Sequence, residues 1–183
     1  EENLKIINNQ IKQIGNLVNE FSDFARMPKP ILKKHNVVNI IKENIMLMNQ
    51  LDNSVSIKLK SFKSIVNVDC DHEQFNRVFI NLFKNSIESL NEKFLKNPDF
   101  QKKINIEILK KDDYIQIIIK DNGTGFGTKK LDDLLKPYYT TKKNGTGLGL
   151  PIVNKIINDH NGTLTLFENK SGAEIKINLP LHK

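Results

Sequence analysis

Residues 104–126 read INIEILKKDDYIQIIIKDNGTGF, and this stretch decides the fold. Ile104, Ile106 and Ile108 alternate with other residues, and Ile115, Ile117 and Ile119 do so again after the polar break from Lys110 to Asp113. A period of two is the signature of a strand with one buried face. The spacing therefore predicts strands over 104–109 and 114–120, joined as a hairpin. The second strand runs straight into Asp121-Asn-Gly-Thr-Gly-Phe126. These glycines do not follow a first strand, as they do in the doubly wound dinucleotide-binding fold, so that architecture is disfavoured.

Working outward, Asp71 is placed to cap a helix over about 72–95, with Phe75, Val78, Phe79, Leu82, Phe83, Ile87 and Leu90 inward. An amphipathic helix is expected over 39–51, and short strands over 55–59 and 65–68. Beyond the glycines, a short helix over 129–135, a helix over 148–160 and a closing hairpin of 163–167 with 173–179 complete the pattern. It predicts an α/β two-layer sandwich, a mixed and mainly antiparallel sheet with helices on one face.

Residues 1–26 are different. Leu4, Ile7, Ile11, Ile14, Val18, Phe21 and Ala25 recur at alternating steps of three and four, a heptad seam that Ile6, Leu17 and Phe24 widen. Such a stripe needs partner helices, and the chain holds no second heptad helix of this kind. It reads as one arm of a bundle. Met27-Pro28-Lys29-Pro30 stops it, because proline lacks a donor and disfavours helix in the residue before it. The expected organisation is a coiled-coil-like helix over 1–27, a linker over 28–36 and a globular domain over 37–183.

Composition removes several classes. The chain has 183 residues, 38% of them hydrophobic and 27% charged, enough apolar material for a packed core. Apolar runs such as 115–119 are far too short to cross a bilayer. Cys70 is the only cysteine, which excludes an intrachain disulfide or cysteine metal cluster and suits a reducing cytosol. The net charge of +7 is spread along the sequence rather than bunched, so it reads as a solvated surface and not a nucleic-acid site.

Three stretches carry chemistry. Gly145-Thr-Gly-Leu-Gly-Leu150 has glycine at alternate positions and leads into a helix with Pro151 in its first turn. Backbone can then approach a ligand closely, and the helix start offers N–H groups to an anion. No Gly-Lys-Ser/Thr follows, so this is not a P-loop. Asp121 with Gly123 and Gly125 is either a plain turn or a pocket wall whose fixed carboxylate accepts from an adenine amino group. Asn81 and Asn85 lie four apart, hence on one helix face among apolar neighbours. They are either part of an asparagine-rich surface or amide ligands for a magnesium ion that also touches phosphate and water.

In this order and at these separations, the three stretches resemble the N, G1 and G2 boxes of sensor histidine kinases and their GHKL relatives. Pro137-Tyr-Tyr-Thr-Thr-Lys142 resembles the segment before the last glycine box, usually Pro-Phe-Phe-Thr-Thr-Lys, with Tyr138 and Tyr139 as departures. Residues 20–30, EFSDFARMPKP, are similar to the end of the second hairpin helix in nitrogen-regulation kinases of the NtrY type. The resemblance implies a Bergerat ATP-binding fold with ATP and Mg2+ as cofactors. Asn81 and Asn85 would be catalytic, with magnesium on Asn85. Asp121 would read the adenine amino group, with Gly123 and Gly125 giving the base room. Gly145, Thr146, Gly147, Leu148 and Gly149 would wrap the phosphates, with Thr141 and Lys142 contacting phosphate oxygens. Residues 1–27 would be the second helix of the dimerisation hairpin. Its partners would be the phosphoacceptor helix, a response regulator and, in the full protein, a second copy. The resemblance places the segment in the cytoplasm, within a parent anchored in the inner membrane.

One position separates kinase from hydrolase in that superfamily. Relatives that hydrolyse ATP carry an acid four residues before the magnesium asparagine, where this chain has Asn81. An amide cannot act as a general base. Glu88, nearly one turn past Asn85, reads as a surface carboxylate or one set behind the metal. His35, His72, His160 and His182 sit in no phosphoacceptor motif, so autophosphorylation is not expected from this segment alone. The rival readings are a GHKL ATPase that closes a dimer on ATP and a non-enzymatic nucleotide-sensing module.

Overall fold

The computed structural model describes residues 2–127, 130–142, 145–169 and 171–181. A helix α1 spans Glu2–Ala25. Strand β1 covers Lys33–Asn36, helix α2 Val37–Leu51, strand β2 Ser56–Ser61 and strand β3 Asn67–Cys70. Helix α3 is His72–Lys96, and strands β4 and β5 are Lys103–Lys110 and Tyr114–Asp121. Helix α4 is Gly149–Asp159, and strands β6 and β7 are Thr163–Asn169 and Gly172–Pro180.

The main sheet has the order β2-β4-β5-β7-β6. Only β2 and β4 run parallel; the other neighbours are antiparallel. The predicted two-layer sandwich is what forms. Ile104, Ile106 and Ile108 oppose Asp121, Ile119 and Ile117 in register, and all six point to the helix side. Phe75, Phe79, Leu82 and Phe83 of α3 and Ile152, Val153, Ile156 and Ile157 of α4 cover them, all fully or nearly fully buried. At about 1.5–3 kcal/mol for each large apolar side chain, this layer is the main source of stability.

Local polar bonds fix the helix starts. Asn36 Oδ1 accepts from Val38 N at 3.2 Å and Val66 N at 3.0 Å, so one side chain caps α2 and holds the approach to β3. Asp71 caps α3 through Gln74 N at 3.1 Å, while its other oxygen accepts from Ile31 N at 2.9 Å. Gln74 Nε2 donates to the Pro28 carbonyl at 3.0 Å. The chain from Pro28 to Ile31 is thus strapped onto the first turn of α3. At its far end α4 closes with Asn161 at φ 56° and Gly162 N donating to the Ile157 carbonyl at 2.9 Å.

Three expectations shift. Residues 33–36, expected as linker, form β1, which pairs antiparallel with β3 as a separate two-stranded sheet. Lys33-Lys34-His35-Asn36 has no apolar alternation, and only pairing makes it a strand. The strand expected over 65–68 lies at 67–70. The segment expected as a helix over 129–135 is a 3-10 turn over Leu131–Leu135, with Lys129 outside the described residues.

Along α1, Leu4, Ile7, Ile11, Ile14, Val18 and Phe21 are 46–64% exposed, so the heptad stripe is uncovered in the single chain. The side chains of Ile6 and Leu17 lie outside the described residues. Phe24 and Met27 pack against the domain core. No helix among the described residues is long and apolar enough to cross a membrane.

Candidate functional site

The site grows from one face of α3. The Asn81 amide nitrogen donates to the Arg77 carbonyl one turn back at 2.8 Å, which leaves its oxygen facing α4. A Cβ on Gly149 would stand 3.3 Å from Asn81 Oδ1 and 3.8 Å from Asn85 Nδ2. The first residue of α4 therefore lies directly over both asparagines. Asn85 Oδ1 faces the Lys142 ammonium at 3.4 Å, and that ammonium pairs with Glu88 Oε2 at 2.6 Å.

The next residues of the same face hold the β5 end. Ser86 Oγ donates to Asp121 Oδ2 at 3.1 Å. Asp121 Oδ1 accepts from Gly123 N at 2.9 Å and Ala173 N at 3.4 Å. The residue is only 7% exposed. Burial pushes its carboxyl above the usual carboxylate range, and the Gly123, Ala173 and Ser86 bonds and the Lys142 charge pull partly back. Ser89 Oγ accepts from Thr124 N at 2.9 Å. A Cβ at Gly123 would sit 2.3 Å from that hydroxyl oxygen, so only glycine lets this loop lie against α3. A Cβ at Gly125 would stand 2.8 Å from a Glu168 carboxylate oxygen.

The described stretches 137–142 and 145–148 close the remaining side. Tyr138 N donates to the Gly147 carbonyl at 3.0 Å, with Tyr138 at φ 68° and Gly147 at φ +70°. A Cβ on Gly147 would come within 2.6 Å of the Tyr138 carbonyl carbon, so glycine is needed for both space and conformation. A Cβ on Gly145 would stand 2.6 Å from Thr140 Oγ1. Thr141 donates to the Phe126 carbonyl at 3.0 Å, tying this loop to the Asp121 loop. Thr146 donates to Glu20 of α1 at 2.6 Å, beside a tilted Phe21–Tyr138 ring pair at 6.3 Å. Leu148 is buried, and α4 starts with no side-chain cap, leaving its first-turn N–H groups and positive dipole end for an anion.

The structure thus brings Asn81, Asn85, Asp121, Gly123, Lys142 and Gly149 to one side of α3. The Thr141 and Thr146 hydroxyls are engaged elsewhere, with Phe126 and Glu20. Sequence reasoning missed Ser89, four residues past Asn85 and so on the asparagine face, and Ser86, one turn before Ser89 at its border. It also undervalued Glu88. Among the described residues there is no cluster of three His, Cys, Asp or Glu that could hold a metal. A magnesium ion would need amide, phosphate and water oxygens. The Lys142 ammonium at Asn85 Oδ1 shows that this oxygen already accommodates a cation.

The histidines serve the scaffold. His160 is buried, with Nε2 accepting from Asp71 N at 2.9 Å and Nδ1 2.7 Å from the Ile156 carbonyl. A backbone N–H can only donate, so the ring proton sits on Nδ1. His72 approaches Glu43 at 3.4 Å and forms a tilted ring pair with His35 at 5.4 Å. His182 lies outside the described residues. Cys70 is buried, and desolvation pushes its thiol up to about 12, with the Asp71 and Asp69 charges adding, which makes it inert.

This chain belongs to the family of histidine kinase-, DNA gyrase B- and HSP90-like ATPases, whose model matches residues 70–183. Family membership makes it an ATP-binding domain. Within the family it is similar to NtrY-like sensor histidine kinases. It is 35% identical over 182 residues to one from Rickettsia conorii, covering 99% of this chain and 29% of that protein. The nitrogen regulation protein NtrY of Azorhizobium caulinodans is 33% identical over 172 residues, covering 94% of this chain and 22% of its own length. The chain therefore spans less than a third of these relatives. The histidine kinase ThkA, solved in complex with the response regulator protein TrrA, superposes with a TM-score of 0.77 at 20% identity. That match covers 98% of this chain and 51% of the other, and it shows the fold.

Proposed function

We propose that this chain is the catalytic module of a two-component sensor histidine kinase. It presents ATP so that the γ-phosphoryl group passes to a histidine on a hairpin helix outside this chain, for relay to a response-regulator aspartate. The observation that carries the reading is convergence: paired amides, a buried carboxylate and a glycine-rich helix start meet on one face of α3. The proposed organisation is 1–27 as the second hairpin helix, 28–36 as a connection and 37–183 as the ATP domain. In the full protein the uncovered α1 stripe would pair two copies through the hairpin bundle.

Phosphoryl transfer asks the protein for positioning and charge stabilisation rather than covalent chemistry. Asn81 and Asn85 supply amide groups at the start of α4, whose N–H groups face the phosphates. A magnesium ion held at Asn85, with phosphate and water completing its shell, would neutralise charge on the phosphates. Asp121 keeps an oxygen near Ser86 with capacity for an adenine amino donor. Asn81 offers no general base for water, so hydrolysis is slow and the phosphoryl group is kept for the histidine.

Titration with ATP and GTP, with and without magnesium, tests the site. Asn85→Ala is expected to weaken magnesium-dependent ATP binding by about tenfold, equivalent to ~1.4 kcal/mol. Asp121→Ala is expected to erase the preference for ATP over GTP. Transfer is tested by adding hairpin protein that carries the phosphoacceptor helix. Labelled ATP should leave an acid-labile phosphate on it; robust steady-state hydrolysis without such transfer would favour an ATPase instead.

A further inference from the structure

One charge at the pocket has the wrong sign for a triphosphate. Glu88 lies nearly one turn beyond Asn85 on α3, beside the same Lys142 ammonium that faces Asn85 Oδ1. Its carboxylate is matched by Lys142 Nζ at 2.6 Å, a residue of the 137–148 loop. The same ammonium stands 3.4 Å from Asn85 Oδ1, and its charge pulls partly against the burial that holds the Asp121 carboxyl up. Lys142 thus acts as a tethered cation among carboxylates, at the oxygen assigned above to magnesium. The two side chains are 41% and 46% exposed, so the ion pair is weak enough to exchange.

We propose that Glu88 is a positioning residue: it holds Lys142 over Asn85 in the nucleotide-free protein, and Lys142 exchanges this carboxylate for phosphate oxygen when a triphosphate enters. The inference rests on the nucleotide reading of the site. The exchange forms and breaks only ionic contacts. A ligand without phosphates offers Lys142 nothing to exchange, so Glu88 discriminates by charge and leaves base recognition to Asp121.

Two measurements on the full chain test it, with Glu88→Gln, Lys142→Met and the double variant. In the nucleotide-free protein, amide hydrogen exchange over residues 138–142 should speed up by a similar factor in each single variant, with no further gain in the double. Unchanged exchange in either single variant, or additive gains, overturns the proposal. In calorimetry with magnesium, Glu88→Gln should tighten ATP binding about two- to fivefold, the range spanned by exposed ion pairs. Adenosine binding should stay unchanged, and the ATP gain should shrink in the Lys142→Met background. Magnesium-dependent weakening would assign Glu88 to the metal. A gain of equal size without Lys142 would reduce Glu88 to simple repulsion. Either result overturns the exchange. If the unchanged protein binds no ATP, the proposed function fails, while the nucleotide-free measurement still decides the Glu88–Lys142 pair.

Discussion

At the scale of single residues, Asp121 and His160 show the same economy with opposite consequences. Asp121 is a carboxylate kept in a buried place, and its raised titration means that the folded state binds its proton more tightly than the unfolded chain. Below the ordinary carboxylate range, near pH 4, both states are protonated and nothing is lost. As pH climbs from the unfolded value to the raised folded one, stability is lost, and above the folded value the loss stays constant. Asp121→Asn should therefore raise the melting temperature of the nucleotide-free protein near pH 7 and have little effect below about pH 4, measured by calorimetry across that range. The same variant should bind ATP more weakly. His160, by contrast, serves structure alone. Replacing it with Phe leaves the Asp71 N–H without its acceptor, and urea unfolding should show a loss of about 1–3 kcal/mol. Asp121 was legible in the sequence because it ends an apolar strand before glycine. His160 was not, because its partner lies 89 positions away.

At the scale of elements, periodicity carried most of the fold. The isoleucine alternation of β4 and β5 and the apolar stripe of α3 each have a period that one sequence window reveals. β1 has no such period, and its identity comes only from β3 across the fold. The loop from Pro137 to Leu148 was legible as glycine-rich. The destinations of its threonine hydroxyls, Phe126 and Glu20, were not, since a hydroxyl carries no directional signal in sequence. Helix α1 shows an element whose apolar pattern is legible and whose apolar face is uncovered. Six large apolar side chains open to water favour association. Sedimentation velocity should show concentration-dependent self-association of the chain, and Ile11→Glu with Val18→Glu should abolish it without changing ATP affinity.

At the scale of the whole molecule, the core belongs to the α2–β7 body, and among its described side chains α1 adds only Phe24 at its end. A chain beginning at Met27 should therefore keep its fold and bind ATP within about threefold of the longer chain, a difference of ~0.6 kcal/mol. Large loss of affinity on that truncation would mean that the Glu20–Thr146 contact shapes the pocket itself. The sequence could place the three chemistry-bearing stretches on their elements but not in space. Convergence depends on β5 lying beside β4 and β7 and on α4 crossing α3, relations that no local window holds.

The strap between Pro28, Ile31 and the start of α3 has a mechanical corollary. A non-helical connection would by itself let a twist of α1 about its own axis dissipate. With the backbone at Ile31 tied to Asp71 and the Pro28 carbonyl tied to Gln74, the slack is gone. A rotation of the arm that reached Pro28 would therefore load the first turn of the same rod whose later turns carry Asn81 and Asn85, as a crank loads its shaft.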